Sequence, residues 1–272
     1  MPGMTMPVPA WLHASLRVDY GAFLPMWAQE RRFGWATPAF AAVLQRWPRI
    51  FECKDQRIGF STWVESAHAR SEAVAEVLSV LRTESFFAGW RDERFSVYAE
   101  ASGEPLFSIE RGAIKRFGIR GRATHINGLV ENPSGVSMWI SRRASNKSTD
   151  PGKYDNLVGG GIGEGYDAWD TLLKEAWEEA GVPLDLAQSA RPRDTLRFDY
   201  LSAEGLDSNE VECFDLSLPT DFQPTNQDGE VDRFELIPLE EIYDLLRRPH
   251  FFTVDAALVI WNCLRRWQQP DD

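Results

Sequence analysis

Glu175, Glu178 and Glu179 stand at positions i, i+3 and i+4 of the segment GGGIGEGYDAWDTLLKEAWEEAGV, residues 159–182. On a helix, at about 100° per residue, these three carboxylates are neighbours on one side of the axis. Trp169, Leu172, Leu173, Ala176, Trp177 and Ala180 spread over a broad arc on the other side. Like charges at this spacing repel by a few tenths of a kcal/mol each, roughly, even when exposed. A hard divalent cation, Mg²⁺ or Mn²⁺, would turn that repulsion into a binding site, because such ions take carboxylate oxygens and keep some of their waters. A solvated acidic helix face is the competing reading. Two neighbours weigh against it. A glycine run precedes the helix and lets backbone approach a ligand closely, and a helix N-terminus beside a basic loop suits phosphate.

The helix itself is well marked. Asp167 is an N-cap with Asp170 three residues on, Gly181 is a left-handed stop, and Pro183 follows soon after. The basic loop holds Arg142, Arg143, Lys147 and Lys153, of which Arg142, Arg143 and Lys153 are candidates to grip phosphate oxygens. Glu230, in Asp228-Gly229-Glu230 just before an expected strand, is a candidate further ligand or general base, with an exposed turn acid as the alternative. His68 is the sole histidine among residues 14–124, and an ordinary surface or core role suits it better than ligation.

Around this centre the pattern alternates between strands and helices. Strands are expected at residues 125–130, 136–141, 196–200, 211–216 and 233–237, and closing helices at 240–246 and 254–267. Before them lies a smaller α+β stretch. There the apolar residues 23–27 suggest a helix, and Thr37-Pro38 opens another through residue 45. Residues 69–82 have helical spacing, and short strands at 95–98 and 106–109 flank a turn at 101–105. The boundary is expected near residues 118–122. That gives an N-terminal α+β accessory domain (residues 1–120) and a second, α/β domain (residues 121–272).

Composition narrows the partners. The 272 residues carry a net charge of −12. Residues 1–120 hold 15 basic and 13 acidic side chains, whereas residues 121–272 hold 14 and 28, so the acidity lies in the second half. That is no footprint for a nucleic-acid backbone, but it is compatible with a phosphate substrate if divalent cations lie between. No run approaches the ~18 apolar residues of a membrane span, and residues 1–9 do not read as a secretory signal. Cys53, Cys213 and Cys263 are scattered and odd in number, so a reducing cytoplasm is expected.

The segment at 159–182 resembles the Nudix box: Gly, five residues, Glu, seven residues, then Arg-Glu-aliphatic-x-Glu-Glu-x-Gly-aliphatic. Gly160 takes the place of the first glycine, Gly181 and Val182 close the motif, and Tyr166 and Lys174 replace the first glutamate and the arginine. The resemblance implies an α/β/α sandwich with a mixed sheet. It implies that Glu175, Glu178 and Glu179 hold the metal with help from the Gly159 carbonyl, and it places Gly160 against the substrate. The two departures affect the bracing of loop and helix more than the metal site.

His125–Gly128, Arg142-Arg143, Lys147, Lys153, Asp155-Asn156, Phe33-Gly34-Trp35, Phe51-Glu52, Gly89-Trp90-Arg91-Asp92-Glu93 and residues 107–120 are similar to a Nudix subgroup with an extra N-terminal domain. Relatives of that subgroup are linked to thiamine diphosphate and its damaged analogues. The implied activity is Mg²⁺-dependent cleavage of the diphosphate bond in an X-linked diphosphate, giving a monophosphate. Aromatic side chains such as Trp139 or Tyr154 could stack on X. Three alternatives stand beside it: a non-catalytic Nudix-fold binding protein, an ADP-ribose or nucleotide pyrophosphatase, and an isomerase using Cys213. The partner is a small diphosphate, with a homodimer left open.

Overall fold

The computed structural model describes residues 6–87, 89–99 and 103–268. Ala101 and Ser102 of the expected turn, and residues 1–5, lie outside the described residues.

The chain opens with α1 (Ala10–Ser15), then β1 (Leu24–Ala28), β2 (Arg31–Ala36), α2 (Pro38–Leu44), β3 (Phe51–Lys54), β4 (Arg57–Phe60), α3 (Ala67–Thr83), β5 (Arg94–Val97) and β6 (Phe107–Glu110). Thr37 caps α2 by accepting from the Phe40 amide, with Pro38 in the first turn. Of residues 23–27, read above as helical, 24–27 lie in β1 instead. Five apolar residues fit either structure, and antiparallel pairing with β2 together with parallel pairing with β4 decides for the strand. The sheet runs β2-β1-β4-β3, and β5–β6 form a separate hairpin. Met26, Phe33, Phe40, Leu78, Phe107 and Phe117 anchor the core of this unit.

The second unit follows with β7 (Arg120–Asn132), β8 (Gly135–Arg143), β9 (Tyr154–Asp155), β10 (Val158–Gly161), α4 (Ala168–Ala180), α5 (Leu184–Ala187), β11 (Arg191–Ser202), β12 (Gly205–Ser217), β13 (Val231–Pro238), α6 (Leu239–Leu246) and α7 (Val254–Gln268). Its sheet runs β11-β12-β7-β8-β13, with β10 on β7 and β9 on β8. It is mixed, because β12 pairs parallel to β7 while the other pairs are antiparallel. Helix α4 covers one face through Leu172 and Ala176 against Ile126, Phe214 and Leu216. Helices α6 and α7 cover the other through Ile242 and Ile260 against Leu129, Ile140 and Val211. This is the α/β/α sandwich expected of the second half. Met6 and Leu12 are buried in that second core, so packing assigns the start of the chain to the sandwich rather than to the N-terminal unit.

Candidate active site

Asp167 accepts from the Asp170 amide at 2.8 Å and starts α4, and Gly181 ends it at φ 63°. The helix is rotated relative to the simple amphipathic reading. Ala176 is buried and Leu173 packs at the core edge, but Trp169 is 36% exposed, lies 6.0 Å from the Phe214 ring, and Trp177 is 54% exposed. The face turned inward is Leu172, Ala176, Glu179 and Ala180. It carries one of the three glutamates into the interior.

That inward glutamate lies on the glycine run. The Gly159 amide donates to Glu179 Oε2 at 2.8 Å. A Cβ on Gly160 would come within 2.3 Å of Glu175 Cγ, and one on Gly159 within 2.9 Å of the His125 ring. The run therefore has to be glycine, because the backbone itself forms the cradle. Glu178 stays at the helix surface. Lys174 Nζ lies 3.0 Å from Glu175 and 2.6 Å from Glu178.

Burial raises the Glu175 carboxyl above the usual carboxylate range despite Lys174. Burial raises Glu179 further, with the charges of Glu175 and Asp155 adding to it and the Gly159 amide opposing. Buried carboxylates that repel one another are a donor set short of positive charge, and oxygen donors in a backbone cradle suit a hard divalent ion. Among the described residues no three acidic, histidine or cysteine side chains converge to ligating distance as they stand. Instead, Lys174 supplies the positive charge between Glu175 and Glu178.

Glu175 and Glu179 line a cavity of about 200 Å³. Its wall includes Arg143, Lys147 and Glu230 from the sandwich, and Arg91, Arg111 and Lys115 from the N-terminal unit. Arg143 donates to Asp155 at 2.9 Å. Burial opposes the Arg143 charge, but Asp155 raises the guanidinium pKa further still. Lys147 pairs with Glu230, and Arg91 is 4.0 Å from it. Burial would raise Glu230, yet Lys147, Arg91 and Arg111 outweigh it and hold the carboxyl low. Such a group stays ionised, which favours a ligand over a strong base.

Two candidate phosphate grips lie elsewhere. Arg142 donates to the Gly152 carbonyl at 3.2 Å and Lys153 pairs with Asp150 at 2.6 Å, and neither lines the cavity. Arg142 and Arg143 are consecutive on β8, so their side chains leave opposite faces and only one can enter. Trp139 and Tyr154 are core residues, 6% and 9% exposed, and Tyr154 stacks on Phe251 at 4.4 Å. Cys213 is buried and burial pushes its thiol up to about 12, so an isomerase using that thiol finds no reactive cysteine here.

Sequence reasoning missed the N-terminal contribution. Arg91 lies in the Gly89-Trp90-Arg91 stretch and Arg111 and Lys115 within residues 107–120, but nothing in either stretch marks these side chains for the cavity. The loop before α4 is also braced from this unit. Glu164 accepts from Ser108, pairs with Arg94 at 3.4 Å, and its amide donates to the Arg94 carbonyl at 2.8 Å. The loop that carries Tyr166 is thus held from the N-terminal unit.

A sandwich whose glycine run holds buried helix glutamates, ringed by arginine and lysine, is built to act on phosphorylated substrates. Residues 121–256 match the NUDIX domain and residues 13–121 match a domain of unknown function, DUF4743. Nudix hydrolase 24, chloroplastic, of Arabidopsis thaliana is 35% identical over 248 residues, covering 90% of this chain and 68% of that protein. Nudix hydrolase 20, chloroplastic, of the same plant is 33% identical over 255 residues, with the same 90% and 68% coverage. The crystal structure of DR0079 from Deinococcus radiodurans aligns over 63% of this chain and 99% of that one, at 23% identity and a TM-score of 0.49. The chain belongs to the Nudix hydrolases, a family of pyrophosphohydrolases that generally use divalent metals, typically Mg²⁺. It carries a DUF4743 region ahead of the Nudix domain.

Proposed function

We propose that this chain hydrolyses the diphosphate bond of a small X-linked diphosphate in the presence of Mg²⁺ or Mn²⁺, releasing a monophosphate. The observation that carries this reading is the cradle: Gly159 and Gly160 pressed onto Glu179 and Glu175 in a cavity rimmed by Arg143, Lys147, Arg91 and Arg111. Glu175, Glu178 and Glu179, with the Gly159 carbonyl, would hold the metal. Glu178 would join by turning away from Lys174. A bound divalent ion supplies Lewis acidity toward diphosphate oxygens and lowers the pKa of a bound water. Arg143 and Lys147 bind and orient the phosphates, and Glu230 stays ionised beside them. Arg91 and Arg111 close the cavity from the N-terminal unit and restrict its length, which favours a compact X group over a long polyphosphate tail. X in this reading is a small heterocycle of the thiamine type.

The test is a substrate panel under identical Mg²⁺: thiamine diphosphate, its oxidised analogues, ADP-ribose and dGTP. The expected result is release of the monophosphate with the thiamine-type compounds ahead in kcat/KM. A tenfold advantage for ADP-ribose or dGTP, about 1.4 kcal/mol of transition-state preference, would overturn the thiamine-type assignment. No turnover of any diphosphate would favour a binding protein in which Lys174 keeps its place between Glu175 and Glu178.

A further inference from the structure

Away from the glutamates the cavity carries a second acidic group, which phosphate binding does not explain. Asp207, on β12, and Asp255, in the first turn of α7, both line it, with Tyr200 and Lys115. Tyr200 is the register partner of Asp207 across β11 and β12. The Asp207 side chain is 5% exposed, and Lys115 Nζ lies 2.5 Å from its Oδ2. Asn209 donates to its Oδ1 at 3.1 Å. Asp255 differs. Its Oδ1 is shielded from solvent and has no hydrogen-bond partner among the described residues. Lys115 thus pairs with Asp207, while the Asp255 acceptor lacks a donor. Buried acceptors without donors are costly and rare, so such a group inside a cavity calls for a donor from a ligand.

The placement suits the far end of a bound substrate. Ser208 is level with Arg120 and Gly159 with His125, so Asp207 sits about six residues along β7 from the glycine run. At about 3.3 Å per residue that is on the order of 20 Å between backbones. Side chains reaching in from both ends narrow that gap, and the two groups line one cavity.

We propose that Asp255 and Asp207 form the specificity wall for X, accepting hydrogen bonds from an N–H or amino edge of a nitrogen heterocycle whose diphosphate lies at the glutamates. This rests on the diphosphate reading above. Donor-free organic groups, such as an alkyl chain, leave the Asp255 acceptor bare and are disfavoured. Lys115 and Asn209 fix the wall by holding Asp207 in place. Because Lys115 comes from the N-terminal unit, the same contacts also tie the two units together, and the test has to separate these roles.

The experiment compares kcat/KM for thiamine diphosphate and dimethylallyl diphosphate in the full chain, Asp255→Leu and Asp255→Asn, with Mg²⁺. The wild type is expected to favour the heterocycle at least tenfold. Asp255→Leu should lose tenfold or more on the heterocycle while staying within twofold on the alkyl compound. Asp255→Asn, which keeps the shape but not the charge, should lose at least threefold on the heterocycle alone. Equal losses on both substrates, or an unchanged preference in either folded variant, would overturn the wall and leave Asp255 as a strut.

Metal-free binding of thiamine diphosphate, read by tryptophan fluorescence, separates this inference from the hydrolase reading. Asp255-dependent binding without turnover sinks hydrolysis and keeps the wall, and turnover with no dependence on Asp255 does the reverse.

Discussion

At the glycine end of the cavity, Glu175 and Glu179 come from one helix turn and lie on a backbone cradle that admits no side chain. At the other end, Asp207 and Asp255 come from a strand and a separate helix, and Asp207 pairs with a lysine drawn from the N-terminal unit. Both ends bury carboxylates against their electrostatic preference. The first does so with geometry fixed locally, as a metal site demands, because ligand directions must hold to a fraction of an ångström. The second does so with geometry fixed only by tertiary packing, and it leaves an acceptor without a donor. Rigid local placement suits chemistry that is constant across a family, and an assembled wall can change with the substrate.

The largest effect is expected at the glycine end. Glu179→Gln keeps volume and can still accept from the Gly159 amide, but it removes the charge that a metal would need. The loss of several kcal/mol of charge stabilisation corresponds to a fall in kcat of at least about a hundredfold. The raised carboxyl predicts the opposite for stability: at pH 8 the folded state holds a charge that burial opposes, so Tm should hold or rise. A glutamine variant with near-normal turnover would remove Glu179 from the machinery.

Next in size is the contrast on β8. Arg143→Ala takes a guanidinium out of the cavity and leaves Asp155 without its ion-pair partner, so KM should rise tenfold or more, about 1.4 kcal/mol. Arg142→Ala should stay within twofold. If the two variants behave alike, the phosphate grip lies elsewhere.

The same pair shows where the sequence ceased to be informative. The α4 limits, the Asp167 cap, the Gly181 stop and the three glutamates were all legible, because each is a local pattern with a local cause. Arg142 and Arg143 were equivalent as letters, since only the register of β8 decides which one faces the cavity. Trp139 and Tyr154 could be read as ring binders or as core, because an aromatic residue carries no mark of which side it packs on, and they are core. Asp207 and Asp255 had no motif at all, and Arg111 and Lys115 lay in the 107–120 stretch with no mark of facing the cavity. They meet because β5–β6 and the segment leading into β7 are folded against the sandwich.

A smaller effect tests the aspartate end without substrate. Burial, with Asp207 adding to it and Lys115 opposing, raises the Asp255 carboxyl to about 7. A raised folded-state value means the folded form prefers the protonated acid. That contribution is complete below the ordinary aspartate value of about 3.9 and is lost as pH rises through about 7. Asparagine mimics the protonated acid at every pH. The Tm of Asp255→Asn should therefore match wild type near pH 4 and exceed it by a few °C at pH 8, at roughly 2–4 °C per kcal/mol. A gap that stays constant from pH 4 to 8 would show that Asp255 carries no such burden.

The smallest effect concerns the brace from the N-terminal unit. Glu164 joins the loop before α4 to Ser108 and Arg94, and the ion-pair side chains are 45% and 48% exposed. An exposed pair of this kind is worth roughly 0.2–1 kcal/mol and is screened by salt. Glu164→Ala should therefore lower Tm by no more than about 4 °C. The backbone bond from the Glu164 amide to Arg94 survives the substitution, so the loop stays docked and only its stiffness falls. Turnover should drop less than tenfold, and the deficit against wild type should shrink in high salt, where the ion pair is already weakened in both proteins. Combining Glu164→Ala with Arg94→Ala should add little to either alone, because both remove the same pair. A loss beyond tenfold that salt does not change would mean that Glu164 acts on the site directly, and that the N-terminal unit does more to the glycine end than hold it still.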